Sequence, residues 1–148
     1  MADTERARRV RLTLFTPDEA NRVAEEIRPE LEAMVQAQRE LGRVQSRMEV
    51  LELAAAGTTA GNPDARELKT LGARRETLVE RIRHGVDRIH RRGCVVKDLE
   101  RGLVDFYALA GDRLIFLCWQ LGEPEVSHWH SLDGGFAGRR PLPRAALD

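Results

Sequence analysis

The fold is decided by residues 17–92, which open as PDEANRVAEEIRPELEAMVQAQRELGRVQSRMEVLELAAA (17–56) and, after a short uncharged loop, continue as DARELKTLGARRETLVERIRHGVDRIHRR (64–92). The first stretch has nine acidic and five basic residues, a net charge of −4. The second has five acidic and nine basic residues, a net charge of +4. Apolar side chains recur every three or four residues in both, which is typical of amphipathic helices. We therefore predict two helices packed as an antiparallel hairpin, with its tip at 57–63.

The predicted helix ends carry their own signals. Thr16 and Glu19 have the spacing of a capping box, in which each residue satisfies a backbone N–H of the other. Asn62 and Pro63 suit the start of the second helix, and Gly93 is placed to end it. Chain reversal at the tip then puts the acidic start of the first helix beside the basic end of the second.

Strand patterns flank the hairpin. Residues 10–16 alternate apolar and polar side chains, which predicts an N-terminal strand that joins a C-terminal sheet through Phe15. After Gly93 the aromatic content rises, and strands are expected over 95–96, 103–108, 113–119 and 126–131, with a hairpin turn at 110–112. The predicted class is α+β: a long two-helix hairpin on a small, mostly antiparallel sheet.

This pattern predicts one domain. Residues 1–9 are expected to be a flexible tail, and 10–148 form a single unit with the strand at 10–16, the hairpin at 17–92 and a β cap at 93–148 that has a loose end.

Composition narrows the classes of partner. The chain of 148 residues has 24 basic and 24 acidic residues, so no net charge favours nucleic acid or an anionic membrane. Residues 1–9 lack the features of a secretory signal, and no apolar run approaches the roughly 20 residues of a membrane span. We expect a cytoplasmic protein in which Cys94 and Cys118 are free thiols.

Several stretches resemble domain of unknown function 2203, an uncharacterised prokaryotic family. They are KDLERGLVDF (97–106), LCWQLGEPE (117–125), WH (129–130), DGGFAGRRP (133–141) and the opening LFTPDEA (14–20). Tyr107 and His128 depart from the family's pattern, which tends to have Pro and an aromatic residue there. The resemblance supports the fold and implies no particular activity.

The most chemically suggestive polar set is Cys118, Glu123, His128, His130 and Asp133. Two residues apart on a strand, His128 and His130 point to the same face. If that face meets the one that carries Cys118, a thiol, imidazoles and a carboxylate converge, which suits zinc or another divalent metal. The alternative is a purely structural role, with His130 hydrogen-bonded at a strand end and His128 solvated.

Two further kinds of site are open at this point. Cys118 and His130, oriented by Asp133 or Asp105, have the residue types of a nucleophilic pair, although burial in an apolar run would raise the thiol pKa. Asp105 and Glu123 are also candidates for general acid–base work. The glycine-rich loop at 133–140 ends in Arg139 and Arg140, which with backbone amides are candidates for anion binding.

The function expected first is that of a non-enzymatic assembly or interaction protein. Valines flank the helical seams and would form apolar shoulders: Val23, Val35, Val44, Val79 and Val86. A second hairpin would cover these shoulders and give a homodimer. An unidentified protein is a further possible partner. The alternative is a metal-binding or metal-dependent hydrolytic cap built around His130, Cys118 and Glu123. No other cofactor is expected.

Overall fold

The computed structural model describes residues 12–54 and 63–143. Helix α1 spans Pro17–Ala54 and helix α2 spans Pro63–His90. They pack against each other in antiparallel orientation, as the sequence predicts. The tip at 57–62 and the Asn62 cap lie outside the described residues, as do the tail at 1–9 and the last residues of the β cap.

Ion pairs between the helices follow the predicted charge pattern. Arg88 Nη2 lies 2.5 Å from Glu30 Oε1, and Arg92 pairs with Glu26, so the acidic start of α1 does lie beside the basic end of α2. These groups are partly exposed, so each pair contributes little stability and chiefly favours this orientation.

Local signals at the helix ends are confirmed. Thr16 N donates to Glu19 Oε1 at 3.1 Å and Glu19 N donates to Thr16 Oγ1 at 3.2 Å, which is a reciprocal capping box. The backbone hydrogen bond from Thr16 lowers the Glu19 pKa. Gly93 follows α2 with φ +94°, and its N–H donates to His90 O, so it ends the helix as expected.

The hairpin contains two separate apolar cores. The half far from the sheet has a cluster of Ala37, Leu41, Val44, Met48 and Leu78, with Leu68, Leu71 and Ile82 beside it. The half near the sheet packs α1 against the strands through a larger cluster that includes Ile27, Leu31, Val35 and Ile89. Burial of these side chains supplies most of the stability of the hairpin.

The expectation that five valines form exposed shoulders is wrong for two of them. Val35 and Val44 are buried, because each belongs to one of the two cores. Val23 and Val86 are half-buried, whereas Val79 is exposed.

Five strands follow the helices in sequence order and form one antiparallel sheet. They are β1 (Val95–Asp98), β2 (Leu103–Ala110), β3 (Arg113–Gln120), β4 (His128–Ser131) and β5 (Arg140–Pro141). The hairpin turn between β2 and β3 lies where it was predicted, with Gly111 at φ +64°. The fourth strand begins two residues later than expected, and the predicted loose end contains the short β5.

The two faces of the sheet have different chemistry. Val104, Phe106, Leu117 and Trp119 belong to the core that α1 covers. Side chains alternate along a strand, so Asp105 and Cys118 point to the opposite face. The segment after β4, which includes a short 3-10 turn at Phe136–Gly138, lies against that second face.

The predicted N-terminal strand is wrong for its described part, since residues 12–16 form no strand and all strands follow the helices. One contact of the expected kind remains: Phe15 N donates to Tyr107 O at 2.7 Å, and its ring packs edge-on against Phe106. The helix begins at Pro17, which ends the extended segment after this single hydrogen bond. Leu12 and Leu14 are exposed and do not share a buried face.

Within the described ranges, neither helix has an apolar, charge-poor stretch of the length that crossing a membrane requires.

Candidate metal centre

Two neighbouring strands hold an acid and a thiol directly opposite each other. The tight turn at Gly111 sets the register of β2 and β3, and this register pairs Asp105 with Cys118. Asp105 is an unusual residue for its position, because it is 2% exposed in the middle of an otherwise apolar strand. A buried carboxylate in such a place requires partners that compensate for its lost hydration.

The third member of the group comes from β4. Phe116 pairs with His130 in the register of β3 and β4, which places the imidazole on the same face as Cys118. The rings of Phe116 and His130 lie 5.4 Å apart, so the phenylalanine packs beside the histidine. One ligand atom from each of Asp105, Cys118 and His130 lies within 4.8 Å of the others, and all three residues are buried. The group could therefore hold a metal ion.

Hydrogen bonds determine how His130 is protonated. Its Nδ1 lies 2.7 Å from Ser131 O, a carbonyl that can only accept, so Nδ1 carries a proton. Its Nε2 lies 2.9 Å from Asp105 Oδ2. One proton is shared across that contact, either on the imidazole or on the carboxyl group. A metal ion can replace this proton, and a backbone carbonyl on the other nitrogen is the usual partner of a metal-bound histidine.

Asp105 keeps unused binding capacity. Its Oδ1 is buried and has no partner of hydrogen-bond geometry among the described residues, although the weakly polar Cys118 thiol lies close by. Leaving a buried carboxylate oxygen unpaired is costly. The Cys118 thiol is at most a weak donor to this carboxylate, and a cation held by Asp105, Cys118 and His130 would compensate its charge more fully.

Cys118 is a neutral thiol in the metal-free chain. Burial raises its pKa from 9.0 to about 12, and the nearby Asp105 charge adds to the rise while Arg139 opposes it. A bound metal ion reverses this balance, because its charge deprotonates a coordinating thiol.

The same geometry argues against the Cys118–His130 nucleophilic pair. Both imidazole nitrogens of His130 are engaged, Nδ1 with Ser131 O and Nε2 with Asp105, so neither is directed at the thiol. A nucleophilic cysteine also needs a lowered pKa, and that of Cys118 is raised. Asp133, the other suggested orienting group, instead accepts from Ser131 Oγ at 3.0 Å.

Two of the predicted ligands lie in a neighbouring polar group. Glu123 Oε1 accepts from Arg139 Nη2 and from Gln120 N, both at 2.6 Å. His128 Nδ1 lies 3.6 Å from Glu123 Oε2 and 3.1 Å from Ser127 Oγ. The structure thus brings Cys118 and His130 together with Asp105, whereas Glu123 and His128 are engaged with other partners.

The two arginines suggested for anion binding have different surroundings. Arg139 pairs with Glu123, and its guanidinium group lies 5.1 Å from the Phe136 ring. Arg140 is exposed and lies 5.9 Å from the Trp129 ring. Anion binding by Arg139 and Arg140 stays a prediction, and the carboxylate partner of Arg139 makes Arg140 the freer of the two.

A cavity of about 170 Å³ opens beside the buried group. Asp105, Cys118 and His130 form part of its wall, and the remainder comes from Lys97, Leu103 and the segment after β4 that includes Leu132 and Phe136. This volume is smaller than the roughly 300 Å³ at which drug-sized ligand sites begin, so the cavity suits an ion or a small molecule.

The sequence predicts Asp105 only as an orienting or acid–base group and not as a ligand. The signal that could have found it is the turn at Gly111, because a tight hairpin turn fixes which residues of its strands face each other. Counting outward from the turn places Asp105 opposite Cys118.

The chain belongs to a family of uncharacterised conserved proteins, DUF2203, whose model matches residues 13–142. No curated protein matches the chain, and no solved structure does either.

Proposed function

We propose that this member of the DUF2203 family binds a divalent metal ion, zinc first, through Asp105, Cys118 and His130. The observation that carries the proposal is the orphaned Asp105 Oδ1, buried beside a thiol and an imidazole whose ligand atoms lie within 4.8 Å of one another. Carboxylate oxygen, thiolate sulfur and imidazole nitrogen are all ligands of zinc.

The number of protein ligands indicates which type of zinc site this would be. Structural zinc sites are closed by four protein ligands, whereas catalytic sites have three and leave one position for water or substrate. The cavity beside the group agrees with the second type, so metal-dependent hydrolysis is the reaction class that this site favours. The residues of the chain would hold the ion, fix the His130 tautomer through Ser131 O and limit access of water from the helix side.

The test is the metal content of full-length protein purified without a histidine tag and dialysed against zinc. We expect about one zinc per chain, and a His130→Ala variant that retains much less. His84→Ala is the matched control, since His84 is exposed on α2 and lies outside the group. Equal zinc in wild type and His130→Ala, or none in either, would overturn the proposal.

A second proposal concerns assembly: the far half of the hairpin binds a second copy of the chain. Its core is only two helices wide, and Val50, Leu53 and Val79 stay exposed near it, with Leu53 82% exposed. Two pairs of charges in this half are matched within the chain, Arg74–Glu40 and Arg47–Glu67. Four helices would cover apolar side chains that two helices leave exposed.

Light scattering at micromolar concentration tests this assembly. A dimer that becomes a monomer in Val79→Asp supports it, with Lys69→Asp on the same helix as the control. A monomeric wild type contradicts it.

A further inference from the structure

Among the described residues, the cavity wall includes one basic side chain, Lys97, that has no acidic partner. Lys97 has no partner in the register of β1 and β2, because a β-bulge shifts the pairing between Val96 and Asp98. Bulges of this kind redirect a side chain and are common beside functional sites. The Lys97 side chain is directed at the cavity that holds Asp105, Cys118 and His130.

Contacts around Lys97 leave its charge available. Its Nζ lies 4.4 Å from the Phe116 ring centre, and that ring packs beside His130. Throughout residues 12–54 and 63–143, no carboxylate pairs with Lys97, whereas arginines of the hairpin such as Arg74 and Arg88 have one. The aromatic ring positions the ammonium group next to the buried ligand set without neutralising it.

The opposite part of the wall is apolar and held in place. Leu132 and Phe136 are 47% and 40% exposed at the cavity. Arg101 and Arg139 lie 5.3 Å and 5.1 Å from the Phe136 ring centre, so two cations fix this ring. Asp133, also in the wall, is engaged with Ser131 Oγ. Within the part of the chain that the structure describes, the cavity wall therefore combines the Lys97 ammonium group, the Asp133 carboxylate and an apolar surface.

Positive charge in the metal-bound state comes from the ion and from Lys97. The Asp105 carboxylate and the Cys118 thiolate balance a divalent ion, since His130 is neutral as a ligand. Lys97 adds a positive charge to the cavity wall, where Ser131 Oγ holds the Asp133 carboxylate, and an anion at the open coordination position would pair with the lysine.

We infer, on the basis of the proposed metal site, that the cavity binds a small organic carboxylate. Its carboxylate group lies between the metal ion and Lys97, and its apolar body lies against Leu132 and Phe136. A Lys97–anion pair at the cavity wall is expected to strengthen binding about tenfold, equivalent to about 1.4 kcal/mol.

The experiment titrates zinc-loaded full-length protein with butanoate in a calorimeter, with the zinc content of the same sample measured first. We expect butanoate to bind, 1-butanol not to bind, and Lys97→Met to weaken butanoate binding about tenfold while zinc content stays unchanged. Lys69→Met is the control, because Lys69 is exposed on α2. His130→Ala, which lacks the metal, should give no heat of binding.

The outcomes separate the two proposals. Normal zinc content with no butanoate binding, or with equal butanoate affinity in Lys97→Met and wild type, overturns the carboxylate site alone. Absence of zinc from the wild type overturns the metal site and the carboxylate site together. Tighter binding of inorganic phosphate than of butanoate also overturns the inference, because the apolar wall would then make no contribution.

Discussion

His130 Nε2 lies 2.9 Å from Asp105 Oδ2, and both side chains are almost entirely buried. Nδ1 of the same histidine is occupied by Ser131 O, so the second nitrogen and the carboxylate face each other with one proton between them. The pair lies on the sheet face opposite the helices, at the wall of the cavity. This relationship makes the stability of the metal-free chain depend on two residues that have no role in the apolar core.

Removing one partner of this pair should destabilise the metal-free protein strongly. His130→Ala leaves Asp105 buried without its hydrogen bond, and breaking a buried pair in this way typically costs about 3–5 kcal/mol. Urea unfolding in the presence of a chelator measures the loss. His84→Ala, at an exposed position, should change the free energy of unfolding by less than about 0.5 kcal/mol. Similar midpoints for the two variants would mean that the pair does not matter for folding.

The buried thiol of Cys94 predicts a loss of stability in alkali. Burial raises its pKa from 9.0 to about 11. Between these values the folded chain keeps a proton that the unfolded chain has lost, so the free energy of unfolding falls as pH rises through this window and is unaffected below it. Cys94→Ser should show a shallower fall, because a serine hydroxyl does not titrate there. Parallel curves for Cys94→Ser and wild type, measured by urea unfolding, would refute this.

The far core of the hairpin depends on Leu78, which is fully buried between the helices. Leu78→Ala should cost about 2–5 kcal/mol through lost burial and the cavity left behind. Its neighbour Val79 is 44% exposed, and Val79→Ala should cost much less. Thermal unfolding monitored by helix circular dichroism makes the comparison. An equal effect of both variants would contradict the packing of α1 on α2 described above.

Two glycines should respond in opposite directions to the same substitution. Gly93 has φ +94°, and a Cβ there would lie 2.6 Å from Thr13 Cβ, so Gly93→Ala should destabilise by more than about 1 kcal/mol. Gly42 lies within α1 with nothing within 4 Å of an added Cβ, so Gly42→Ala should stabilise by about 0.5–1 kcal/mol. Chemical denaturation gives both values, and a shift in the same direction for both variants would count against the described end of α2.

The helices could be predicted from the sequence because their signals are local and repeated. Charge runs, the capping box at Thr16 and Glu19, and the position of Gly93 all lie within a few residues of the features that they determine. The prediction of an N-terminal strand was wrong because the helix begins at Pro17, directly after the alternating residues. Phe15 therefore makes a single backbone hydrogen bond to the sheet. An alternating pattern alone does not show whether the segment can pair with a neighbouring strand.

Two of the three residues of the proposed metal site could be predicted from the sequence. Residue type alone predicts Cys118 and His130, and the strands place both on one face. Glu123 lies in the turn after β3, where its carboxylate accepts from Arg139 and Gln120 N. Strand periodicity predicts side-chain direction only within a strand, so it could not predict these contacts. Asp105 is missed as a ligand, because its place opposite Cys118 follows only from the strand register that the turn at Gly111 sets.

The most direct test of the metal site is the absorption spectrum of the full-length protein loaded with cobalt(II). If Cys118 is a ligand, a thiolate-to-cobalt charge-transfer band appears in the wild type and is lost in Cys118→Ser. Cys94→Ser is the matched control, since Cys94 is the other buried thiol and belongs to the apolar core. We predict that the band survives in Cys94→Ser; an unchanged band in Cys118→Ser, or no band in the wild type, would contradict the account.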